Sequence, residues 1–542
     1  MVEDQILEEY DGIVLGAGHN GLITTAYMAK AGLKMLVIDR LDRPGGGLRT
    51  EEDPAFPGYR HNTHAVFCRA VSSLPWFNDL DLAEHGVEMI EPEMNVALLT
   101  KDDDALQWWT QFEKTYASVA RFSQKDADTL QRWHEEFFPV VMNVLRPELS
   151  SPPISAERRR EILSQTSAGK RLLEISAMSP LEFVMKEFTH PVVQAGLLFF
   201  NGLREVDMRA KGFGHHILSL LASPAKAQMP KGGTAELGKG LAKVARALGA
   251  DILLNSSVKR IHVEQGRVRA VETHEGRYIR VRRFVASSLS VQQTFLELIA
   301  PEAVPRDILE KAYGYKYNLV APLATVHLRL NQPPRYRATD RVPSLDQAFM
   351  VIMGIDDLQT YEKMVQNHEV GVKPPGPVLY GACQTIHDPT QAPPGKHTAF
   401  MWQKVPYHLY GNPDNWDRYG EQIGQEMFEQ WRRYAPNLDG AVESMFVRTP
   451  RDTVRLLPTM GEGDTIGGAF LDGQYLDGRP WKGANYRGPI EGLYLCGMAV
   501  HPGGNVTGLP GYNAAQVILS DMNKKQEWMP PSFEKQLQSY FK

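Results

Sequence analysis

Two hydrophobic periods alternate along the chain. Residues 12–15 form a continuous apolar run suited to a buried parallel strand. The turn Gly16-Ala17-Gly18-His19-Asn20-Gly21 follows, and beyond it Leu22, Ala26 and Ala29 share one side of a helix. A second apolar run, 34–38, ends at Asp39. Leu237, Leu241, Val244 and Leu248 recur at i, i+4, i+7 and i+11 and stop at Gly249, which predicts a glycine-closed helix with a short strand, 252–254, behind it. Three further stretches, 258–263, 268–273 and 278–282, are joined by Glu264-Gln265-Gly266 and His274-Glu275-Gly276, the short polar turns of a β-meander. Near the end, 493–496 predicts a strand and 508–519 a helix in which Asn513, Ala514 and Ala515 permit close packing.

Between these segments the pattern changes. Residues 71–225 are rich in Trp, Phe, Leu and Met at helical spacing, with a Pro/Ser-rich break at 149–154, and predict a mostly helical block. From 306 to 454, strand-like stretches such as 323–330 and 378–384 alternate with proline-rich loops, and a helix carries Ile423, Met427 and Trp431. The fold class is therefore α/β (α+β overall): a Rossmann-like domain from 1–70, 226–305 and 455–542, interleaved with a sheet-and-helix substrate domain from 71–225 and 306–454.

Composition narrows the function classes. Over 542 residues, 59 basic and 64 acidic side chains are intermixed for a net charge of −5, so no basic footprint for nucleic acid exists. Cys68, Cys383 and Cys496 are too scattered for a disulfide framework or a zinc site and fit a reducing compartment. Glu3, Asp4, Glu8 and Glu9 oppose a signal peptide, and the longest apolar approach to a span, 192–200, is short and interrupted by Gln194. A cytoplasmic protein is expected.

The glycine turn has the context of a dinucleotide fingerprint. Gly16 permits the turn, Gly18 lets backbone approach a pyrophosphate, and Gly21 permits helix to pack on strand. The anion meets unpaired amides at a helix N-terminus. Asp39, followed by Arg40, can accept hydrogen bonds from an adenosine ribose, which disfavours the 2′-phosphate of NADP. A second cluster, Arg43-Pro44-Gly45-Gly46-Gly47-Leu48-Arg49-Thr50, offers backbone amides and a cation, Arg49 or Arg43, to a diphosphate. Far away, the stretch containing Gly497, His501, Gly504, Asn505, Val506 and Gly508 leads into the 508–519 helix, whose N-terminus can address the flavin where negative charge accumulates on reduction. Read together, the two ends call for FAD. A single fingerprint makes substrate the electron donor and oxygen or a quinone the acceptor.

Rival signatures (G-x-S-x-G, H-E-x-x-H, a Walker loop) are absent from the sequence. Flavin desaturation needs a C–H bond held against N5, a shielded site and, for some substrates, a base. Candidate proton carriers are His501 and His64, with His61 beside the latter; a turn-stabilising role is the plainer reading for His501, and structural roles for the other two. No metal ligand set is identified. Tyr59 and Tyr512 are conceivable wall residues.

Taken together, the fingerprint with Asp39, the 43–50 cluster, Pro230-Lys231-Gly232-Gly233-Thr234 and the closing 494–504 motif resemble the phytoene-desaturase-type FAD oxidoreductases. Within them the chain is similar to the pyridine nucleotide-disulfide oxidoreductase domain 2 subgroup, near the carotenoid desaturases and isomerases. The resemblance implies a cofactor domain of glutathione-reductase/amine-oxidase type, non-covalent FAD, and backbone of Val258 near adenine. It implies oxidation or desaturation of a hydrophobic or aromatic small molecule by hydride transfer to flavin N5. Two alternatives stand beside it: a flavin-dependent non-redox isomerase of a polyene-like substrate, and a non-catalytic binding protein like the GDP-dissociation inhibitors. Departures are Gly47 where arginine is usual, Ala286-Ser287-Ser288-Leu289 after the meander, and Asp39 where glutamate is commoner. Some members are peripheral on membranes, and the aromatic, basic tail from Trp528 to Lys542 is the segment here that could touch lipid, a homo-oligomer mate or its own domain.

Overall fold

The computed structural model describes residues 8–202, 205–222 and 227–541. Glu3 and Asp4, the expected 225/226 boundary and Lys542 lie outside them. The first sheet runs Asp251–Leu253, Met35–Ile38, Glu9–Leu15, Tyr278–Ser287, Arg267–Thr273, Val258–Glu264, with Leu493–Leu495 also paired to Tyr278–Ser287. Its first four strands are parallel, as is Leu493–Leu495, while the meander is antiparallel. Tyr278–Ser287 belongs to both parts. Its start pairs with Arg267–Thr273, and farther on Val285 aligns with Ile13 on one side and Leu493 on the other. The expected 278–282 strand is longer for this reason: polar–apolar alternation ends where both faces become covered.

Helix His19–Lys30 is buried from Asn20 to Ala29, because it lies against the sheet and touches both Ala235–Ala247 and Leu509–Asp521. The last contact is close enough that a Cβ on Gly511 would lie 2.2 Å from the Asn20 carbonyl oxygen. The start and the end of the chain thus share one core.

A second sheet runs Val442–Arg448, Leu323–Leu330, His397–Lys404, Leu379–Ala382, Ala348–Met353, Met94–Leu99, Ala105–Trp109. Alternation along His397–Lys404 serves two layers. Ala399 and Met401 pack with Ile423, Met427 and Trp431 of helix Asn415–Tyr434, while Phe400 and Trp402 face the helical block around Trp133, Phe137, Phe183 and Phe199. Each such fully buried aromatic contributes roughly 1.5–3 kcal/mol of transfer free energy.

The helical block holds helices such as Gln124–Val140, Pro180–Glu187 and Pro191–Gly202, and the expected break follows Leu149. One expectation needs correction: Met94–Leu99 and Ala105–Trp109, placed among helices by composition, are strands of the second sheet. Met94–Leu99 is buried throughout and shows no alternation to betray it. The tail takes the own-domain alternative for its larger side chains. Trp528 packs 4.1 Å from the Tyr27 ring, and Phe533 and Leu537 of helix Phe533–Tyr540 are buried, so these side chains turn inward. Among the described residues no helix is long and apolar enough to cross a membrane.

Candidate active site

The two glycine turns touch. Gly45 donates its N–H to the Ala17 carbonyl at 2.8 Å, and a Cβ on Gly46 would lie 3.1 Å from the Gly18 Cα. Gly16 (φ 92°) and Gly21 are required by the protein itself: a Cβ would meet Ser288 Oγ at 2.5 Å from the first and the Gly16 carbonyl oxygen at 2.0 Å from the second. Gly18 differs. A Cβ there would meet no protein atom within 4 Å.

What Gly18 faces is a cavity of about 460 Å³, lined on this side by Gly16, Gly18, His19, Asn20, Gly46 and Gly47. Asp39 and Arg40 border it as well. The Asp39 carboxylate accepts N–H bonds from Ala17 at 2.7 Å and Leu41 at 2.8 Å, so it braces the fingerprint turn, and burial pushes its pKa upward. The Arg40 guanidinium donates to the carbonyls of Arg455 (3.0 Å) and Leu456 (2.7 Å), and thereby ties down the loop whose residues Leu456 to Met460 form part of the wall. From the C-terminal motif, Asn505 and Val506 reach the same cavity. Trp76 fastens this segment by donating its ring N–H to the Thr507 carbonyl at 2.7 Å.

Opposite the glycines, the wall comes from the second sheet and the loops near it. Phe67, Leu323, Met350, Tyr380, Trp402 and Phe470 make it apolar and largely aromatic. The cavity therefore spans the two sheets, with a backbone-lined end and a hydrophobic end.

A family model for flavin containing amine oxidoreductases matches residues 21–519. The chain belongs to that family. Among its relatives, one of the subunits of the limonene dehydrogenase of Castellaniella defragrans is 28% identical, with 97% of each chain covered. Pyridine nucleotide-disulfide oxidoreductase domain-containing protein 2 of Rattus norvegicus is 26% identical, covering 95% of this chain and 94% of its own. The lycopene-forming phytoene desaturase of Pseudescherichia vulneris is 24% identical, covering 94% and 99%. In fold, cyclohexylamine oxidase of Brevibacterium oxydans superposes with a TM-score of 0.58 at 14% identity over 95% of this chain and 99% of its own. This flavin amine-oxidase-family member is thus an oxidoreductase of phytoene-desaturase type, its cofactor is FAD, and the non-catalytic reading falls away.

The residues fit that cofactor. Only at Gly18 does a glycine of the fingerprint leave room that no protein atom fills, and His19–Lys30 presents its first-turn amides beside it. Gly46, Gly47, Asp39, Arg40, Asn505 and Val506 line the same cavity beside it. Other residues expected in the site do not line the cavity. Gly21 packs helix on strand, and Gly497 runs tight under Ser288, where a Cβ would lie 2.3 Å from its carbonyl oxygen. The buried Arg49 pairs with Glu51, its Nε 2.9 Å from the carboxylate, while its Nη1 has no hydrogen-bond partner among the described residues. Val258 heads its strand at the sheet edge, and it is the neighbouring Asn255 and Ser256 that donate N–H groups to the carbonyls of cavity-lining residues, Leu41 and Asp39.

The candidate proton carriers separate clearly. His64 lines the cavity, its Nδ1 3.2 Å from Thr63 Oγ1 and its Nε2 without a protein partner. Burial, then Arg448 and Arg49, hold its pKa down to about 3, so it is neutral at physiological pH. His501 lies behind the wall, with Nε2 2.9 Å from the Glu148 carbonyl, and fits the turn-stabilising reading. His61 packs against His327 and Phe446 at ring distances of 5.3 and 5.0 Å, Tyr59 bonds Glu443, and Tyr512 meets Tyr27 edge-on; none of them lines the cavity. Sequence reasoning passed over Arg69 and Glu205, which do line it, and Lys404, which grips Glu205.

Proposed function

We propose that this oxidoreductase desaturates or oxidises a hydrophobic small molecule, with oxygen or a quinone as the final acceptor. The observation that carries the reading is the wall of Phe67, Leu323, Met350, Tyr380, Trp402 and Phe470, continuous with the cofactor cradle. Such a surface favours a ligand that gains by leaving water and offers little to one that needs many hydrogen bonds. Relatives named for limonene and phytoene, both isoprenoid hydrocarbons, support that class, and one named as a subunit supports work in an assembly. Bound in the cradle, FAD supplies a two-electron acceptor. The chain's own work is to exclude water, press the reacting carbon toward the cradle with aromatic side chains, and keep His64 neutral at the wall.

The test is anaerobic mixing of the yellow holoprotein with limonene, phytoene and cyclohexylamine, following the oxidised flavin absorbance. Bleaching by a hydrocarbon with formation of a more unsaturated or oxygenated product is expected, and no bleaching by the amine. Turnover only after the flavin has been pre-reduced would replace this reading by the isomerase one. No bleaching by either hydrocarbon would refute it.

A further inference from the structure

Three ionisable side chains meet where the cavity reaches the second sheet. Lys404 ends the strand His397–Lys404 with its side chain fully buried; its ammonium holds Glu205 Oε2 and donates to the Val320 carbonyl at 2.8 Å. Glu205 and Arg69 both line the cavity. No hydrogen bond from a described residue reaches Glu205 Oε1. The main chain of Glu205 is held at φ 59°, and Asn318 Nδ2 donates to its carbonyl at 2.6 Å. A left-handed glutamate is strained, and such positions persist where the surroundings over-determine them, most often at functional sites.

The plainer reading is a tie between the 205–206 turn and the sheet. A buried ion pair is a poor way to build one, since desolvation offsets most of the attraction and an apolar pair of equal volume does as well. Nor does a tie require the glutamate to border the cavity with one carboxylate oxygen free of hydrogen bonds from the described residues. We propose that Glu205 is the proton acceptor of the reaction, with Lys404 as the positioning residue that holds its carboxylate in the cavity wall. This deepens the proposed function and rests on it. In forming a double bond, one carbon loses hydrogen together with both bonding electrons, as a hydride transferred to the oxidised flavin. The adjacent carbon loses a proton to Glu205 Oε1, and the electron pair left behind becomes the new π bond. Glu205 then returns its proton to solvent.

The electrostatics agree with this task. Burial pushes the Glu205 carboxyl up to about 7 against the pull of Lys404, with Asp464 adding to the rise and Arg69 opposing it. The phenols of Tyr361 and Tyr380 also face it, and His216 lines the same cavity. A carboxylate is most useful as a base when its pKa lies near the working pH.

The experiment has two readouts on the holoenzyme. In wild type, flavin bleaching by limonene or phytoene should speed up as pH rises through about 7 and level off above it, because the charged form is the base. Glu205→Gln should bleach at least about 100-fold more slowly at every pH with its flavin spectrum unchanged, and Glu205→Asp should recover part of the rate. Infrared difference spectra without substrate should show a protonated carboxyl band titrating near pH 7 that is missing from Glu205→Gln. Lys404→Met should move both the band and the rate profile upward by about one pH unit or more, which a merely structural tie would not do. Bleaching of Glu205→Gln within about threefold of wild type, the base effect being at least tenfold larger, would overturn the role of Glu205 and leave the proposed function intact; so would a missing carboxyl band. Failure of both hydrocarbons to bleach the wild-type flavin would overturn the function and this role together.

Discussion

Gly18 and Gly21 are glycines for different reasons, and alanine at each should separate them. At Gly18 the backbone is φ −66°, ψ 166°, open to any L residue, and a Cβ would meet no protein atom within 4 Å. Replacing glycine at such a site gains about 0.4–1 kcal/mol by restricting the unfolded chain. Losing a tolerated helix N-cap costs about 0.5–1 kcal/mol. The two nearly cancel, so the thermal midpoint of the FAD-free Gly18→Ala protein should stay within about 2 °C of wild type. FAD affinity should not survive as well. The added methyl occupies room facing the cavity, and overpacking of about 1–3 kcal/mol weakens binding roughly 5- to 150-fold. Gly21→Ala reverses the pattern: its Cβ would lie 2.0 Å from the Gly16 backbone oxygen, 3.2 Å from Ser288 Oγ and 3.2 Å from Val14 Cγ1, leaving only backbone movement as relief. It should lose about 3 kcal/mol or more of stability with or without cofactor. The assay is thermal unfolding of apo-proteins alongside FAD titration by fluorescence quenching. Wild-type FAD affinity in Gly18→Ala, or apo-protein damage equal to that of Gly21→Ala, would refute the reasoning.

Other outcomes follow from single contacts. Arg40→Ala removes the two bonds that hold the 455–456 carbonyls, and should speed FAD dissociation several-fold in stopped-flow release while changing stability by about 1 kcal/mol or less, because the side chain is exposed. His501→Gln should cost about 1–3 kcal/mol in denaturant unfolding, since the bond to the Glu148 carbonyl is buried, yet leave flavin bleaching rates within a few-fold; a collapse of the rate with stability intact would make His501 catalytic instead. Burial holds His19 and His501 down to about 4, and His61, His64 and His368 to about 3. With folded-state values below the usual histidine value of 6.5, the unfolded chain takes up protons first, so these groups lower stability as pH falls from about 6.5 toward 4. Glu205, Asp39, Asp356 and Asp464, all pushed up by burial, work in the opposite sense over part of that window, but His327, His387 and His397 are also lowered and add to the five. Thermal midpoints that hold or rise on acidification would contradict this.

Much of the first sheet could be read from the chain, because parallel strands buried on both faces are written as short apolar runs and their crossover helices carry a plain 3.6-residue period. The second sheet was harder. Leu323–Leu330 is marked by its length, but Met94–Leu99 and Ala105–Trp109 are short, buried and embedded among helices, and Ala348–Met353, which joins this pair to the sheet through Met94–Leu99, lies more than two hundred positions away. Only pairing identifies them as strands.

The same division runs through the site. Gly16, Gly18, Asp39 and Gly46 announce a cofactor because a phosphate cradle is built from contiguous backbone, whose turns demand glycine at fixed spacing. The substrate end is built from side chains, each drawn from a different element. Trp402 and Tyr380 look like ordinary core residues, and Glu205 carries no local signal. Lys404 offered the one hint: a cation ending an apolar strand normally marks the exit to solvent. Here it meets a glutamate 199 positions earlier in the chain and stays wholly buried. Burial of that pair beside a hydrophobic cavity is what makes a carboxylate with an open oxygen chemically useful, and no window of sequence contains it.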